Sequence, residues 1–137
     1  MKRLTGQLEW SWSDGWLLMA LLLAQGTKGA RLCELIAAAD LTNHAIPTAR
    51  ELSSALTKFA RCRLVTASRG RYLLSPRHVP ALWKAYEGRG GLFSSGDKGL
   101  KWLKRAALAP AVKRRIPISD AQVKAAYDQY HSTIWSN

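Results

Sequence analysis

A mainly α-helical domain with one small β-hairpin is the fold class that this sequence predicts, and three observations predict it. Apolar residues recur at helical spacing along most of the chain, two segments carry a helix-starting capping box, and one short stretch has the pattern of two strands around a glycine. The 137 residues are 47% hydrophobic and 22% charged, which is typical of a globular chain that buries its own core.

The first two helices are predicted from their apolar residues. The first extends from about residue 13 to residue 26 and is apolar on nearly all sides, so we expect it to be the central, buried helix. The second covers about residues 30–39. The polar stretch 40–44 is predicted to be a turn, in which a structural hydrogen bond is expected for His44, whereas the roles of Asp40 and Asn43 stay open.

The third helix has the clearest start signal, a Thr48-Ala49-Arg50-Glu51 capping box directly after a proline. Its inward stripe is predicted to contain Leu52, Ala55, Leu56 and Phe59. Small, hydroxylic or basic residues remain for the outer face, namely Ala49, Arg50, Ser53, Ser54, Thr57, Lys58 and Arg61. Because that face is expected to lie in solvent, substitution of Ser53, Ser54, Thr57 or Lys58 is predicted to leave the melting temperature nearly unchanged.

A β-hairpin is predicted immediately after this helix. Residues 64–67 and 71–74 have the pattern of short strands, and Ser68-Arg69-Gly70 between them is typical of a hairpin loop with a glycine at positive φ. A fourth helix follows at about residues 79–88, where apolar residues again recur at helical spacing.

The chain is predicted to divide into a first domain, residues 1–89, and a basic helical extension, residues 90–137, with a Gly/Ser-rich linker at about 89–96. The extension is expected to contain a helix at 98–108, an exposed Lys113-Arg114-Arg115 turn between two prolines, and a last helix that starts at Ser119 with a second capping box. The last helix carries an apolar stripe that we expect to pack on the first domain or on a second copy of the chain, as a homodimer: Val123, Tyr127, Tyr130 and Ile134.

The positive charge is concentrated in the middle of the chain. The 21 Lys and Arg residues against 9 Asp and Glu residues give a net charge of +12, and residues 50–115 alone hold 16 basic and 3 acidic residues. A surface of this sign attracts polyanions, so double-stranded DNA is the first partner to consider. An anionic membrane surface is the weaker alternative, because the basic helix at 98–108 has only a modest apolar face.

The order of elements resembles a winged helix-turn-helix DNA-binding domain. Residues 34–37, 52–59 and 64–75 resemble the second helix, recognition helix and wing of small bacterial winged-helix regulators, and the likeness covers about residues 13–78. The segment D-x-x-N-H-A-I at residues 40–46 also resembles a group of small, uncharacterised bacterial winged-helix proteins. One departure is the link between the second and third helices, residues 40–47, which is longer than the tight turn usual in DNA-binding members.

The resemblance implies that the third helix enters the major groove of DNA while the wing contacts the backbone or the minor groove. Hydroxyl and basic side chains of the third helix suit such contacts with bases and phosphates, and the wing contributes two arginines. The predicted DNA-binding residues, with three cations of the extension, are Thr48, Arg50, Ser53, Ser54, Thr57, Lys58, Arg61, Arg69, Arg71, Lys101, Lys104 and Arg105.

Catalytic and metal-dependent functions have no support in the sequence. None of the three histidines has a second histidine or a cysteine at helical spacing, the two cysteines are 29 positions apart, and phosphate-loop and nucleophile-elbow motifs are absent. The longest apolar run has nine residues, well short of the roughly 20 that a membrane span needs. We therefore expect a cytoplasmic protein without a cofactor, associated with the nucleoid if bacterial.

The function that the sequence predicts is non-catalytic DNA binding, in its simplest form as a transcriptional regulator. The alternative is a winged-helix module that binds another protein and does not recognise a DNA sequence. The recognised DNA sequence, the effector, the oligomeric state and the direction of regulation stay open.

Overall fold

The computed structural model describes residues 8–90 and 94–135, with side chains as far as residue 132. Within these residues, six α-helices and three short strands follow one another: α1 (Trp12–Ala24), β1 (Ala30–Arg31), α2 (Leu32–Asn43), α3 (Ala49–Arg61), β2 (Val65–Ser68), β3 (Arg71–Leu74), α4 (Val79–Tyr86), α5 (Ser95–Ala106) and α6 (Asp120–Trp135). The chain is thus mainly helical with a small sheet, as the sequence predicts. None of the helices in this part of the chain is both long enough and apolar enough to cross a membrane.

The sheet is antiparallel, with the strand order β1-β3-β2. Strand β1 was not predicted, because two residues are too short to show a strand period. The hairpin loop has two residues rather than the predicted three, since Ser68 pairs with Arg71. Arg69 and Gly70 both take positive φ angles, 54° and 74°, which matches the right-handed twist of the two strands.

Helix α1 lies at the centre of the core, as predicted from its apolar composition. Its residues from Asp14 to Leu22 are buried. The helix is capped by Ser11, slightly before the predicted start, in a reciprocal box with Asp14. The indole of Trp16 is buried and donates to the carbonyl oxygen of Ala39 at 3.0 Å, which fixes α1 against α2.

The predicted turn at residues 40–44 is wrong for its first four residues, because α2 continues to Asn43. Thr42 is only 1% exposed, and its hydroxyl donates to the carbonyl of Ala38 and accepts from the Trp16 indole. His44 then ends the helix in a left-handed conformation. The link between α2 and α3 is therefore residues 44–48, shorter than the predicted 40–47.

The last third of the chain packs onto the first part through both of its helices, α5 and α6. α5 begins at Ser95, inside the predicted linker, and packs against α1 and α4, whereas residues 91–93 of that linker lie outside the described part. Gly15 of α1 and Gly99 of α5 bring the two backbones into direct contact. These close contacts place α5 against the core rather than apart from it.

Helix α6 packs within the chain against α2 and α3, one of the two arrangements predicted for its apolar stripe. Ala126 is buried, and Val123 and Tyr130 are partly buried against the core. The hydroxyl of Tyr130 donates to the carboxylate of Asp40 at 3.0 Å, which gives Asp40 a structural role that the sequence left open. Burial, with the negative charge of Asp40, raises the pKa of Tyr130. The side chain of Ile134 lies outside the described residues.

Candidate nucleic-acid interface

The start of α3 is fixed by the predicted capping box and by α1. The Thr48 hydroxyl accepts from the N–H of Glu51 at 3.0 Å, and the Glu51 carboxylate accepts from the N–H of Thr48 at 2.9 Å. The hydroxyl of Ser13 also donates to Glu51 at 2.8 Å. Burial alone would raise the pKa of Glu51, but the hydrogen bonds from Thr48 and Ser13 outweigh it, so the pKa is lowered. Thr48 is thus exposed but already engaged as a helix cap.

One flank of α3 is covered by an extended segment, residues 111–118, which we call the strap. Its N–H groups at Ala111 and Val112 donate to the carbonyl of Arg61, the last residue of α3, at 2.7 and 3.0 Å. Further along, the N–H of Ile116 donates to the Thr57 hydroxyl at 2.9 Å. The strap therefore runs antiparallel to α3 and is held at both ends.

The strap changes the outer face that was predicted for α3. Ser53 donates its hydroxyl hydrogen to the carbonyl of Ile116 at 2.7 Å, and Thr57 accepts from the same residue's N–H. Both side chains were predicted to lie free in solvent, and that part of the prediction is wrong. The contacts join residues 63 and 59 positions apart, so a helical pattern within α3 carries no sign of them.

The opposite flank of α3 is engaged as well. The ammonium of Lys58 pairs with Asp14, which is only 1% exposed, and it also donates to the carbonyl of Glu9 at 3.0 Å. The same ammonium lies over the ring of Trp10, 5.6 Å from its centroid. The prediction of a solvent-facing Lys58 is therefore wrong, because the buried carboxylate requires a cation beside it. Ala49, also placed on the outer face, is buried.

The face of α3 that stays open is a narrow ridge. Arg50 and Ser54 are exposed, and Arg61 is half-buried with its carbonyl bonded to the strap. Three of the seven predicted outer-face residues thus lie on the ridge between the two covered flanks. Their charge and hydrogen-bonding capacity suit contact with a polyanion.

A polar cleft of about 260 Å³ lies between the β2–β3 hairpin and the strap. Four arginines line it, Arg69 and Arg71 from the hairpin and Arg114 and Arg115 from the strap, and its lining contains no carboxylate. Arg114 donates to the carbonyl of Ala67 at 3.4 Å, which ties the strap to the hairpin. The cleft, called here the arginine cleft, is therefore a strongly positive site.

The orientation of Arg71 is set from outside the cleft. Its guanidinium donates to the carbonyl of Gly29 at 2.9 Å and lies 3.9 Å from the carboxylate of Glu34. The pKa of Glu34 is lowered chiefly because the main-chain N–H of Arg31 donates to it, with further lowering from the Arg31 and Arg71 charges. The ionised Glu34 thus holds Arg71 at the cleft wall. Among the described residues, Arg69, Arg114 and Arg115 make no salt bridge.

The three predicted cations of the extension lie on α5. Lys101, Lys104 and Arg105 are exposed, whereas the helix packs its buried side on α1 and α4. They belong to a helix that neither borders the arginine cleft nor contributes to its lining. Three further cations were predicted only as an exposed turn, Lys113, Arg114 and Arg115, although a basic run between two prolines was the available signal for a fixed, extended segment.

The chemistry of this surface suits anion binding by guanidinium groups. In the described ranges 8–90 and 94–135, no three side chains of His, Cys, Asp or Glu come together as possible metal ligands. The chain matches no model of a known protein family, no curated protein and no solved structure at a significant level.

Proposed function

We propose that this protein is a non-catalytic, winged-helix DNA-binding protein that acts in transcription regulation. The observation that carries the proposal is the side-by-side arrangement of α3, the strap and the hairpin. Hydrogen bonds join the strap to Arg61 of α3 on one side and to Ala67 of the hairpin on the other. Seven cations are thereby placed on neighbouring segments: Arg50, Arg61, Arg69, Arg71, Lys113, Arg114 and Arg115.

Double-stranded DNA is the ligand that this arrangement favours. Phosphates repeat along both strands of a duplex, so a broad surface with cations on three segments meets several of them at once. The succession of three helices and a hairpin, with β1 completing the sheet, supports the winged-helix assignment and the proposed approach of α3 and hairpin to DNA.

A protein-interaction module is the second candidate, and one observation favours it. Trp83 of α4 is 37% exposed, with its ring edge-on to Tyr86 at 5.7 Å between centroids. Exposed tryptophans are common anchors in protein interfaces. On this alternative the cations of α3 and the strap serve solubility, and the protein binds no DNA.

The test is a DNA-binding titration of the full-length chain. Fluorescence anisotropy with a labelled random-sequence duplex is measured at several salt concentrations. If roughly five to eight phosphates are contacted, log K should fall against log[salt] with a slope of about −0.9 per phosphate. Absence of binding at low salt, or a flat salt dependence, would reject the proposal in favour of the protein-interaction module.

Two triple variants with equal charge loss test which surface binds DNA. The first removes three charges from α5, through Lys101→Ala, Lys104→Ala and Arg105→Ala. The second removes three charges from α3 and the hairpin, through Arg50→Ala, Arg61→Ala and Arg69→Ala. The proposed surface predicts that the second set lowers affinity far more than the first. The reverse order would place the DNA on α5.

A further inference from the structure

The arginine cleft has the geometry of a site for one phosphate group. Gly70 at the hairpin tip has open space where a side chain would lie, so a phosphate can approach the backbone there. The planar guanidinium groups of Arg69, Arg114 and Arg115 match the oxygen atoms of a phosphate better than ammonium groups do. No carboxylate in the lining competes for them.

The cleft is also preformed. The strap is fixed by hydrogen bonds to Arg61, Thr57 and Ser53 before any ligand arrives, and its side chains Ile116 and Ile118 are buried. On the other wall, Gly29 and Glu34 hold Arg71 in place. A preformed site loses little conformational freedom on binding, which favours a phosphate contact over a solvated arginine.

The side chains best suited to base recognition are, in contrast, already occupied. Ser53 and Thr57 are bonded to the main chain of Ile116, and Lys58 is paired with Asp14. Direct readout needs several side chains of one element at base edges in the major groove. The open ridge of α3 offers only Arg50, Ser54 and Arg61, and the strap covers the flank beside it.

We infer that the arginine cleft seats a backbone phosphate of duplex DNA, and that the protein binds DNA independently of base sequence. The inference rests on the proposed DNA binding and deepens it. The strap supplies the main affinity and α3 supplies little sequence discrimination. Such a protein regulates transcription by occupying DNA and by preferring certain DNA shapes, because phosphate contacts carry no sequence information directly.

The first arm of the test compares strap variants in the full-length chain. Arg114→Ala with Arg115→Ala removes two cleft arginines, and Lys113→Ala removes the neighbouring cation, which does not line the cleft. We expect the double variant to lose at least about tenfold in affinity for every duplex and to reduce the salt slope by about one, because both arginines face the same phosphate. Lys113→Ala should lose less than about threefold, as a general effect of charge.

Folding is checked by thermal unfolding of each variant. If the double variant does not fold, the single variant Arg115→Ala replaces it. Arg115 is exposed, and its side chain makes none of the described hydrogen bonds that anchor the strap. If the wild type binds DNA but the cleft variants lose no more than Lys113→Ala, the phosphate site is refuted while DNA binding stands. If the wild type binds no DNA at all, the proposed function and this inference both fail.

The second arm tests sequence independence. Duplexes with a randomised centre are selected for binding to the wild type over several rounds and then sequenced. Sequence-independent binding predicts no enriched motif and affinities within about threefold across selected and unselected duplexes. An enriched motif whose affinity depends on Arg50 or Ser54 would overturn the inference and leave the proposed function intact.

Discussion

The C-terminal part of the chain meets two helices in different ways. α5 meets α1 by direct backbone contact, with Gly15 and Gly99 against one another and apolar side chains around them. The strap meets α3 through polar groups as well as buried apolar side chains, with Ser53 and Thr57 bonded to the main chain of Ile116. The backbone contact lies within the core, and the polar contact lies beside the positively charged surface.

The difference shows which contact carries the stability. Separating α1 from α5 would expose apolar surface to water without compensation. Breaking the polar contacts between the strap and α3 would exchange protein hydrogen bonds largely for hydrogen bonds to water, which costs much less for each bond, while Ile116 and Ile118 stay buried. We therefore expect substitutions at the Gly15–Gly99 contact to threaten the fold, and substitutions at the polar contacts of the strap to have milder effects on stability.

The largest expected effect on the free energy of unfolding is that of Gly99→Ala. A Cβ atom on Gly99 would lie only 2.7 Å from the Cα of Gly15, and the obstacle is backbone rather than a flexible side chain. The two helices would have to separate, so we expect a loss of more than about 3 kcal/mol in the free energy of unfolding, at the upper end of overpacking costs. Chemical denaturation of the purified chain measures it.

Gly88→Ala is the control for Gly99→Ala. It adds the same methyl group after α4, where the nearest atom is the carbonyl oxygen of Ala85 at 3.3 Å. It should change stability by less than about 1 kcal/mol. Equal stability of the two variants would contradict the proposed difference between the two contacts, because the close backbone contact would then not hold α1 against α5.

A smaller effect is expected for Lys58→Ala, which removes the cation beside the buried Asp14. An unpaired, buried carboxylate destabilises the fold. Because the Lys58 side chain is 20% exposed, water can partly take the place of its ammonium group beside Asp14. We expect a loss of roughly 2–3 kcal/mol, measured by chemical denaturation.

Lys58→Met keeps the length of the side chain but not its charge, and it should lose about as much as Lys58→Ala. Lys101→Ala removes an exposed lysine of α5 and should be nearly neutral. A Lys58→Met protein as stable as the wild type would show that the ion pair contributes nothing to the free energy of unfolding.

The features that the sequence predicted correctly depend on neighbouring residues. The capping boxes at Thr48 and Ser119 are both present, because their hydrogen bonds join residues three apart. The inward stripe of α3 is confirmed, with Leu52, Leu56 and Phe59 fully buried. The hairpin is confirmed too, with a loop one residue shorter than predicted.

The features that the sequence did not reveal depend on distant residues. Thr42 and Asp40 looked like turn residues, but their partners are Trp16 and Tyr130, 26 and 90 positions away. A polar residue in a helix is stable when such a partner exists, and no local pattern identifies it. For the same reason the seven-residue outer face of α3 could be predicted as polar but not as partly covered by the strap.

The smallest expected effect comes from the strap itself, through Thr57→Val. This substitution keeps the shape of the side chain but removes the hydroxyl that accepts from the N–H of Ile116. The N–H then loses its partner in a partly buried position, so we expect a loss of about 1–2 kcal/mol in the free energy of unfolding. The hydrogen bonds of Ala111 and Val112 to Arg61 remain and should keep the strap near α3.

Ser54→Ala is the matched control, since Ser54 is exposed on the same helix and has none of the described hydrogen bonds to the strap. It should change stability by no more than about 0.5 kcal/mol. Hydrogen exchange sharpens the result, because Thr57→Val should speed exchange of the Ile116 amide while amides of α1 stay protected. Unchanged exchange at Ile116 would mean that burial of Ile116 and Ile118, rather than the polar contact, holds the strap on α3.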